Sequence, residues 1–357
     1  MLFDAYDLYT LKLSNRIIMA PMTRSRAGAD HVPTAMMPDY YRQRAGAGLI
    51  ISEATAVSLQ GCGYPNIPGL WNAAQTEAWS KVTAAVHQAG GKIFAQLFHT
   101  GRIAHASLIG EQPVSATTTT PQGQVMTADY SMQDYASPRA LRAEELPGIV
   151  AQFALAATNA KLAGFDGVEI HAANGYLLDQ FLRDGVNTRT DEYGGAVANR
   201  ARLLLEVTQA ALAAFEARRI GVRLSPYNGF NSMTDSDPLA TFTQTAALLD
   251  ALPLAYLHMM EPYGAHMFAA DPAKPRVTEQ VRQRFKGTLI VNGGLTKEMG
   301  EKLLLDKTAD LVCYGMPFIA NPDLVERFKK NLPLATVDQS TIYGGADKGY
   351  TDYPAAA

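Results

Sequence analysis

The stretch VEIHAANGYLLDQFL, residues 168–182, opens as a short β-branched apolar run and closes with the spacing of an amphipathic helix. At the joint stand His171, Asn174 and Tyr176. A plain strand-to-helix connection needs none of these hydrogen-bonding side chains. In parallel α/β folds, ligands gather where strands end and helices begin. The stretch therefore reads as one βα unit with chemistry at its joint.

The same unit recurs along the chain. Short apolar runs occur at residues 16–20 (RIIMA), 49–53 (LIISE), 92–97 (KIFAQL), 167–171 (GVEIH), 221–224 (GVRL), 256–259 (YLHM), 288–292 (TLIVN) and 311–314 (LVCY). Helical spacing is clearest at residues 76–88, 144–163, 199–217, 239–252 and 321–330. Eight alternations in 357 residues fit a single (β/α)8 TIM barrel spanning residues 1–357, because barrel strands are buried on both faces and read as continuous apolar runs. A doubly wound sheet is the rival. Its usual signature is missing, since the glycine pairs Gly46/Gly48 and Gly61/Gly63 lack the third glycine and no GxxxxGK[ST] occurs. The connection at residues 103–139, after the third strand, is too long for a simple loop and reads as an ordered excursion capping the barrel mouth. The aromatic, turn-rich tail from Asp338 onward is expected to fold back on the barrel.

Composition excludes several classes. With 31 basic and 34 acidic residues the net charge is −3, which leaves no electrostatic footprint for nucleic acid or an anionic membrane. No apolar run is long enough to span a bilayer, and the first residues lack the pattern of a signal peptide. Cys62 and Cys313 lie far apart in no CxxC pattern, so a reducing, cytoplasmic setting is expected. The seven histidines form no short-range ligand pair, and no metal is expected.

The strand ends carry a coherent set of groups. The first offers Thr23, the second Ala54, the third Gln96 and Phe98, the fourth His171, the fifth Arg223, the seventh Gly293 and Gly294, and the eighth Gly315 and Met316. An amide, a hydroxyl, a guanidinium and glycines that admit close backbone approach suit a large planar heterocycle with several carbonyl and N–H edges. The final joint precedes a helix whose first amides favour a phosphate.

At these residues the sequence resembles the old yellow enzyme family of FMN-dependent ene-reductases, of the N-ethylmaleimide reductase type. The resemblance runs through NRI at 15–17, APMTR at 20–24, ISEA at 51–54, QLFHTGR at 96–102, GFDGVEIHAANGY at 164–176, NTRTDEYGG at 187–195, PFIANP at 317–322 and GYTDYP at 349–354. It implies noncovalent FMN, NADPH or NADH as reductant, and activated alkenes (enones, enals, maleimides, nitroalkenes) or phenolic ligands as partners, in a monomer or homodimer. His171 and Asn174 look like the pair that hydrogen-bonds the substrate oxygen. Tyr176 looks like the acid that protonates the α carbon while flavin N5 delivers hydride to the β carbon. Thr23, Ala54, Gln96, Arg223, Gly293, Gly294, Gly315 and Met316 fall at flavin-binding positions, and Tyr64, Phe98 and Tyr343 at the substrate pocket, with Tyr263 as a further aromatic candidate.

Two positions depart from that pattern. Met316 stands where relatives usually carry an arginine for the FMN phosphate, and a thioether cannot replace a guanidinium fork. Weaker FMN retention is therefore expected, with backbone amides of Gly294, Gly315 and Met316 as the main grip. Phe98 stands where many relatives carry tryptophan. Two other readings of the barrel stay open. One is a flavin-free aldolase or isomerase, for which Glu53 and Glu261 are the carboxylates near strand ends. The other is a protein that only binds phenols or steroids at His171 and Asn174.

Overall fold

A computed structural model describes residues 1–263 and 274–356. Eight parallel strands close into a barrel: β1 (Ile17–Met19), β2 (Leu49–Ala56), β3 (Ile93–Phe98), β4 (Gly167–His171), β5 (Ile220–Leu224), β6 (Tyr256–Met260), β7 (Leu289–Asn292) and β8 (Leu311–Tyr314). Each strand neighbours the next in sequence, and β8 pairs with β1. A helix follows every strand in turn: α1 (Met37–Arg42), α2 (Ala73–Gln88), α3 (Leu146–Leu162), α4 (Arg202–Leu212), α5 (Pro238–Asp250), α6 (Val277–Arg284), α7 (Lys297–Leu305) and α8 (Leu324–Lys330).

Local chemistry sets where these helices begin. Asn72, Asp237 and Thr296 accept backbone N–H groups of Gln75, Ala240 and Met299, capping α2, α5 and α7. Proline occupies the first turn of α1, α3 and α5, where its missing N–H costs nothing. The helix expected over residues 199–217 is instead two pieces, Val197–Arg200 and α4. Arg200 is drawn inward at the break, donating to Leu182 O and Thr241 Oγ1.

Outward strand residues such as Val168, Ile170, Val222 and Leu257 pack with Trp79, Phe153 and Leu204 of the helical layer in one continuous core. Burying a side chain of this size contributes roughly 1.5 to 3 kcal/mol. Inward residues near the strand starts, including Ile18, Leu49, Phe94, Tyr256, Ile290 and Leu311, pack against Leu8, Leu11 and Leu13. Those leucines belong to an N-terminal hairpin, Tyr6–Leu8 with Leu11–Leu13, which closes the bottom of the barrel.

The top is roofed by two segments. The excursion at residues 103–139 contains a short helix, Ala106–Ile109, a hairpin of Gln124–Met126 with Met132–Asp134, and a parallel pair of Val114–Ser115 with Arg139–Ala140. Buried Arg102 ties it down, donating to Thr119 O (2.8 Å) and to Asn231 O (2.9 Å) in the loop after β5. The tail is held by arginines whose donors have few other outlets. Arg24 donates to Ile342 O (2.9 Å) and Gly349 O (2.6 Å), and Arg26 to Thr341 O (2.9 Å) and Ala346 O (3.1 Å). Tyr350 stacks on Tyr40 with ring centres 4.1 Å apart, and the Arg44 guanidinium lies 3.9 Å from the centre of the Tyr40 ring. Among the described residues no helix is long and apolar enough to cross a membrane.

Candidate active site

Strand alternation that turns apolar residues inward at the bottom of the barrel turns polar ones inward near the top. Gln96, Glu169, Arg223, His258 and Asn292 form a buried polar floor. Glu169 accepts Nε2 of Gln96 at 2.7 Å and Nδ1 of His258 at 2.9 Å. Burial pushes the Glu169 carboxyl up, but His258, Arg223 and Gln96 outweigh it and hold the group below the ordinary value. Burial, with Arg223 acting in the same sense, pushes His258 down. The pair is thus a carboxylate accepting from a neutral imidazole.

Each member of the floor is left with a definite demand. Gln96 commits its amide nitrogen to Glu169, so its carbonyl oxygen is the acceptor that remains. Arg223 donates Nη2 to Asn292 Oδ1 at 3.1 Å, while its Nε is buried without a partner, as is Nε2 of His258. A buried guanidinium N–H without an acceptor is costly. This floor therefore calls for a ligand with both acceptor and donor edges, which is the chemistry of a flavin pyrimidine ring. Thr23 is half-buried just beyond β1, and Ala54 is buried in β2 beside an irregularity in its pairing with β3. Gly293 follows β7 at φ 140°, where an added Cβ would lie 2.0 Å from Glu261 O, so only glycine fits. Gly294 follows at φ 67°. Gly315 precedes a short helix, Met316–Ala320, whose first residue, Met316, is 45% exposed.

His171, Asn174 and Tyr176 converge at the end of β4. The backbone N–H of Ala173 donates to Nδ1 of His171 at 3.3 Å, which places the proton on Nε2 and makes it a donor. Burial, reinforced by Arg223 and His258, holds that imidazole well below its ordinary pKa, so it is neutral at physiological pH. Asn174 takes the left-handed conformation at φ 57°. Gly175 follows at φ 78°, where a Cβ would come within 2.7 Å of Asn231 Cβ. Asp179 accepts the Gly175 N–H at 2.8 Å and pairs with Arg183 at 2.9 Å, fully inside the protein.

The Tyr176 ring stands edge-on to His171 (5.1 Å between centres) and to Phe98 (5.4 Å). Its hydroxyl lies 3.0 Å from that of Tyr64. Burial pushes the Tyr176 phenol up to about 12, with the bond to Tyr64 acting the other way. Phe98 is stacked on His171 and buried. Tyr343, from the tail, is 68% exposed yet close enough to Tyr64 and Tyr176 to perturb both phenols.

Tyr135, from the capping excursion, acts on the same two hydroxyls and was not anticipated from the sequence, where nothing local marks it. Tyr263 keeps other company: its ring packs under Arg276 at 4.4 Å and its backbone N–H donates to Gly293 O. Glu169, His258 and Asn292 were also missed, although each alternates with apolar neighbours in its strand. Glu53 is consumed by Arg24 N (3.1 Å) and the Tyr41 hydroxyl (3.3 Å), and Glu261 by Val277 N, Thr278 N and Thr278 Oγ1. Neither of these two carboxylates is free of protein donors. Among the described residues no cluster of His, Cys, Asp or Glu is placed to hold a metal ion.

Residues 1–335 match the model of the NADH:flavin oxidoreductase / NADH oxidase family. The chain belongs to that family. It is an FMN-dependent, NAD(P)H-dependent flavin oxidoreductase of the old yellow enzyme type. It is similar in structure to the old yellow enzyme homologue from Zymomonas mobilis, with a TM-score of 0.96 and 46% identity over 99% of each chain. Morphinone reductase in complex with tetrahydroNAD gives a TM-score of 0.94 and 46% identity, covering 100% of this chain and 98% of the other. In sequence it is 43% identical over 371 residues to 12-oxophytodienoate reductase 7 of Oryza sativa subsp. japonica, covering 99% of this chain and 94% of the rice protein.

Proposed function

We propose that the protein is an ene-reductase, which uses NADH or NADPH to reduce the C=C bond of alkenes activated by a carbonyl or nitro group. The observation that carries this reading is the pairing of a neutral, Nε2-protonated His171 with a half-buried, protonated Tyr176 whose ring centre lies 5.1 Å away. Two related proteins point the same way by name, an oxophytodienoate reductase and a morphinone reductase.

In this reading His171 Nε2–H and the Asn174 amide donate to the carbonyl oxygen, drawing electron density from the β carbon and stabilising the enolate-like charge that develops. Tyr176 gives its phenolic proton to the α carbon, and Tyr64, 3.0 Å away, is placed to return one. Gln96, Arg223 and Thr23 would hold the flavin edge, Arg223 offering its positive charge to it. Ala54, Gly293, Gly294, Gly315 and Met316 present backbone to the ring system and phosphate. FMN held by these residues would supply the two-electron relay between nicotinamide and alkene. One pocket serves both partners, so the oxidised nicotinamide leaves before the alkene enters. Phe98, Tyr64, Tyr135 and Tyr343 form the aromatic walls, and Phe98 leaves more room than the tryptophan of many relatives.

Rapid mixing of the flavin-loaded protein tests this. Anaerobic NADH or NADPH is expected to bleach the flavin, and cyclohexenone to restore its colour. The reoxidation rate is expected to stay level from about pH 6.5 to about pH 10, because His171 is already neutral above the ordinary imidazole value and Tyr176 keeps its proton until pH nears about 12. Absence of reoxidation by any enone overturns the reading. A rate that falls tenfold between pH 8 and pH 10 would mean that the acid titrates well below about 12 and that burial does not hold the Tyr176 proton as argued.

A further inference from the structure

The proposed substrate-oxygen site depends on which way the Asn174 amide faces, because its two ends have opposite hydrogen-bonding character. A chain of bonds starting from a backbone group settles the direction. The N–H of Phe230 can only donate, and it lies 2.9 Å from Oδ1 of Asn228. That bond fixes the fully buried Asn228 amide with Nδ2 toward Asn174. Nδ2 in turn donates to Oδ1 of Asn174 at 2.8 Å. The Asn174 carbonyl is thereby occupied, and its Nδ2–H2 has no protein acceptor among the described residues.

The surrounding frame leaves little freedom for another arrangement. Ser225 Oγ accepts the Asn174 backbone N–H at 2.7 Å, and Asn231 Nδ2 donates to the Asn174 backbone carbonyl at 2.8 Å. Arg183 donates to Asn228 O at 2.9 Å and to Ser225 O, fastening the loop after β5 to the helix Leu177–Leu182 that follows the site. The left-handed Asn174 and Gly175 sit between these anchors.

We propose that Asn228 is a positioning residue that locks the Asn174 amide in its donor-outward orientation, so that the site offers two donors and no acceptor to a substrate oxygen. The inference rests on the reading of His171 and Asn174 as the substrate-oxygen site. It makes a specific claim about Asn228→Asp. An ionised carboxylate at this position can no longer donate to Asn174, so the amide turns over and shows the substrate its carbonyl. A protonated carboxyl can still accept from Phe230 N–H and donate to Asn174 Oδ1, which restores the native direction.

The test is a spectroscopic titration of the FMN-loaded protein with p-chlorophenol from pH 5.5 to pH 9, each variant compared with wild type at the same pH. Asn228→Asp is expected to bind phenol roughly 10- to 150-fold more weakly at the alkaline end, the cost of one charge-assisted hydrogen bond, and to approach wild type as pH falls. Asn228→Ala is expected to lose several-fold at every pH, and to lose nothing further when introduced into Asn174→Ala. A ratio to wild type for Asn228→Asp that stays within about threefold and does not vary with pH overturns the proposal. If Asn228→Asp fails to fold, unchanged phenol affinity in Asn228→Ala overturns it equally. Wild-type protein that binds no phenol refutes the underlying ene-reductase site instead.

Discussion

Tyr176→Phe is expected to slow reoxidation of the reduced protein by an enone by roughly 10²- to 10⁴-fold, the usual contribution of a positioned general acid. Reduction by the nicotinamide cofactor is expected to stay within a few-fold, since hydride leaving nicotinamide requires no proton from the protein. The asymmetry follows from the geometry. The ring is half-buried, the phenol is kept protonated to about 12, and among the described residues its hydroxyl pairs with Tyr64 at 3.0 Å. Loss of the hydroxyl leaves His171 and Phe98 packed against the same ring at 5.1 and 5.4 Å, so the pocket should keep its shape. Stopped-flow measurement of the two half-reactions separates these effects. Equal losses in both would mean that the substitution disturbs the flavin or the fold, and that the acid lies elsewhere.

Met316→Arg is expected to tighten FMN binding by about 10- to 150-fold, corresponding to one charge-assisted hydrogen bond of roughly 1.5 to 3 kcal/mol. Met316 is the first residue of the short helix after β8 and is 45% exposed, so a longer polar side chain can be accommodated without displacing the core. The native protein should correspondingly lose flavin on dilution. Fluorescence of released FMN during serial dilution reports both values. If native protein retains FMN throughout and the arginine changes nothing, the backbone amides of this joint suffice for the phosphate.

The barrel could be read from the sequence because its strands are buried on both faces. Runs such as LIISE and TLIVN therefore stand out without alternation, and each is followed by a helix. The His171, Asn174 and Tyr176 constellation was legible for a different reason: three polar groups interrupt an apolar βα joint. What escaped lies at two other levels. The hairpin of Tyr6–Leu8 and Leu11–Leu13 has three-residue strands, too short for a periodic signal, and its leucines acquire meaning only as the plug of a barrel. Glu169, His258 and Asn292 are isolated polar positions among apolar strand residues, and only the closed barrel brings them together in one buried polar floor. Asn228 and Tyr135 come from loops. Their roles arise from contacts across the mouth with residues far away in sequence, for which the chain carries no local mark.

If His171 and Asn174 hold a substrate oxygen over bound FMN, a phenol should report it. Anaerobic titration of the FMN-loaded protein with p-chlorophenol, followed by visible absorption, tests it most directly. A phenolate held there stacks on the oxidised ring, and a broad long-wavelength charge-transfer band is expected to grow to saturation. The band should vanish in His171→Ala and Asn174→Ala proteins that still carry flavin. Saturable phenol binding without such a band, or a band of full intensity in both alanine variants, would place the phenol elsewhere than at His171 and Asn174.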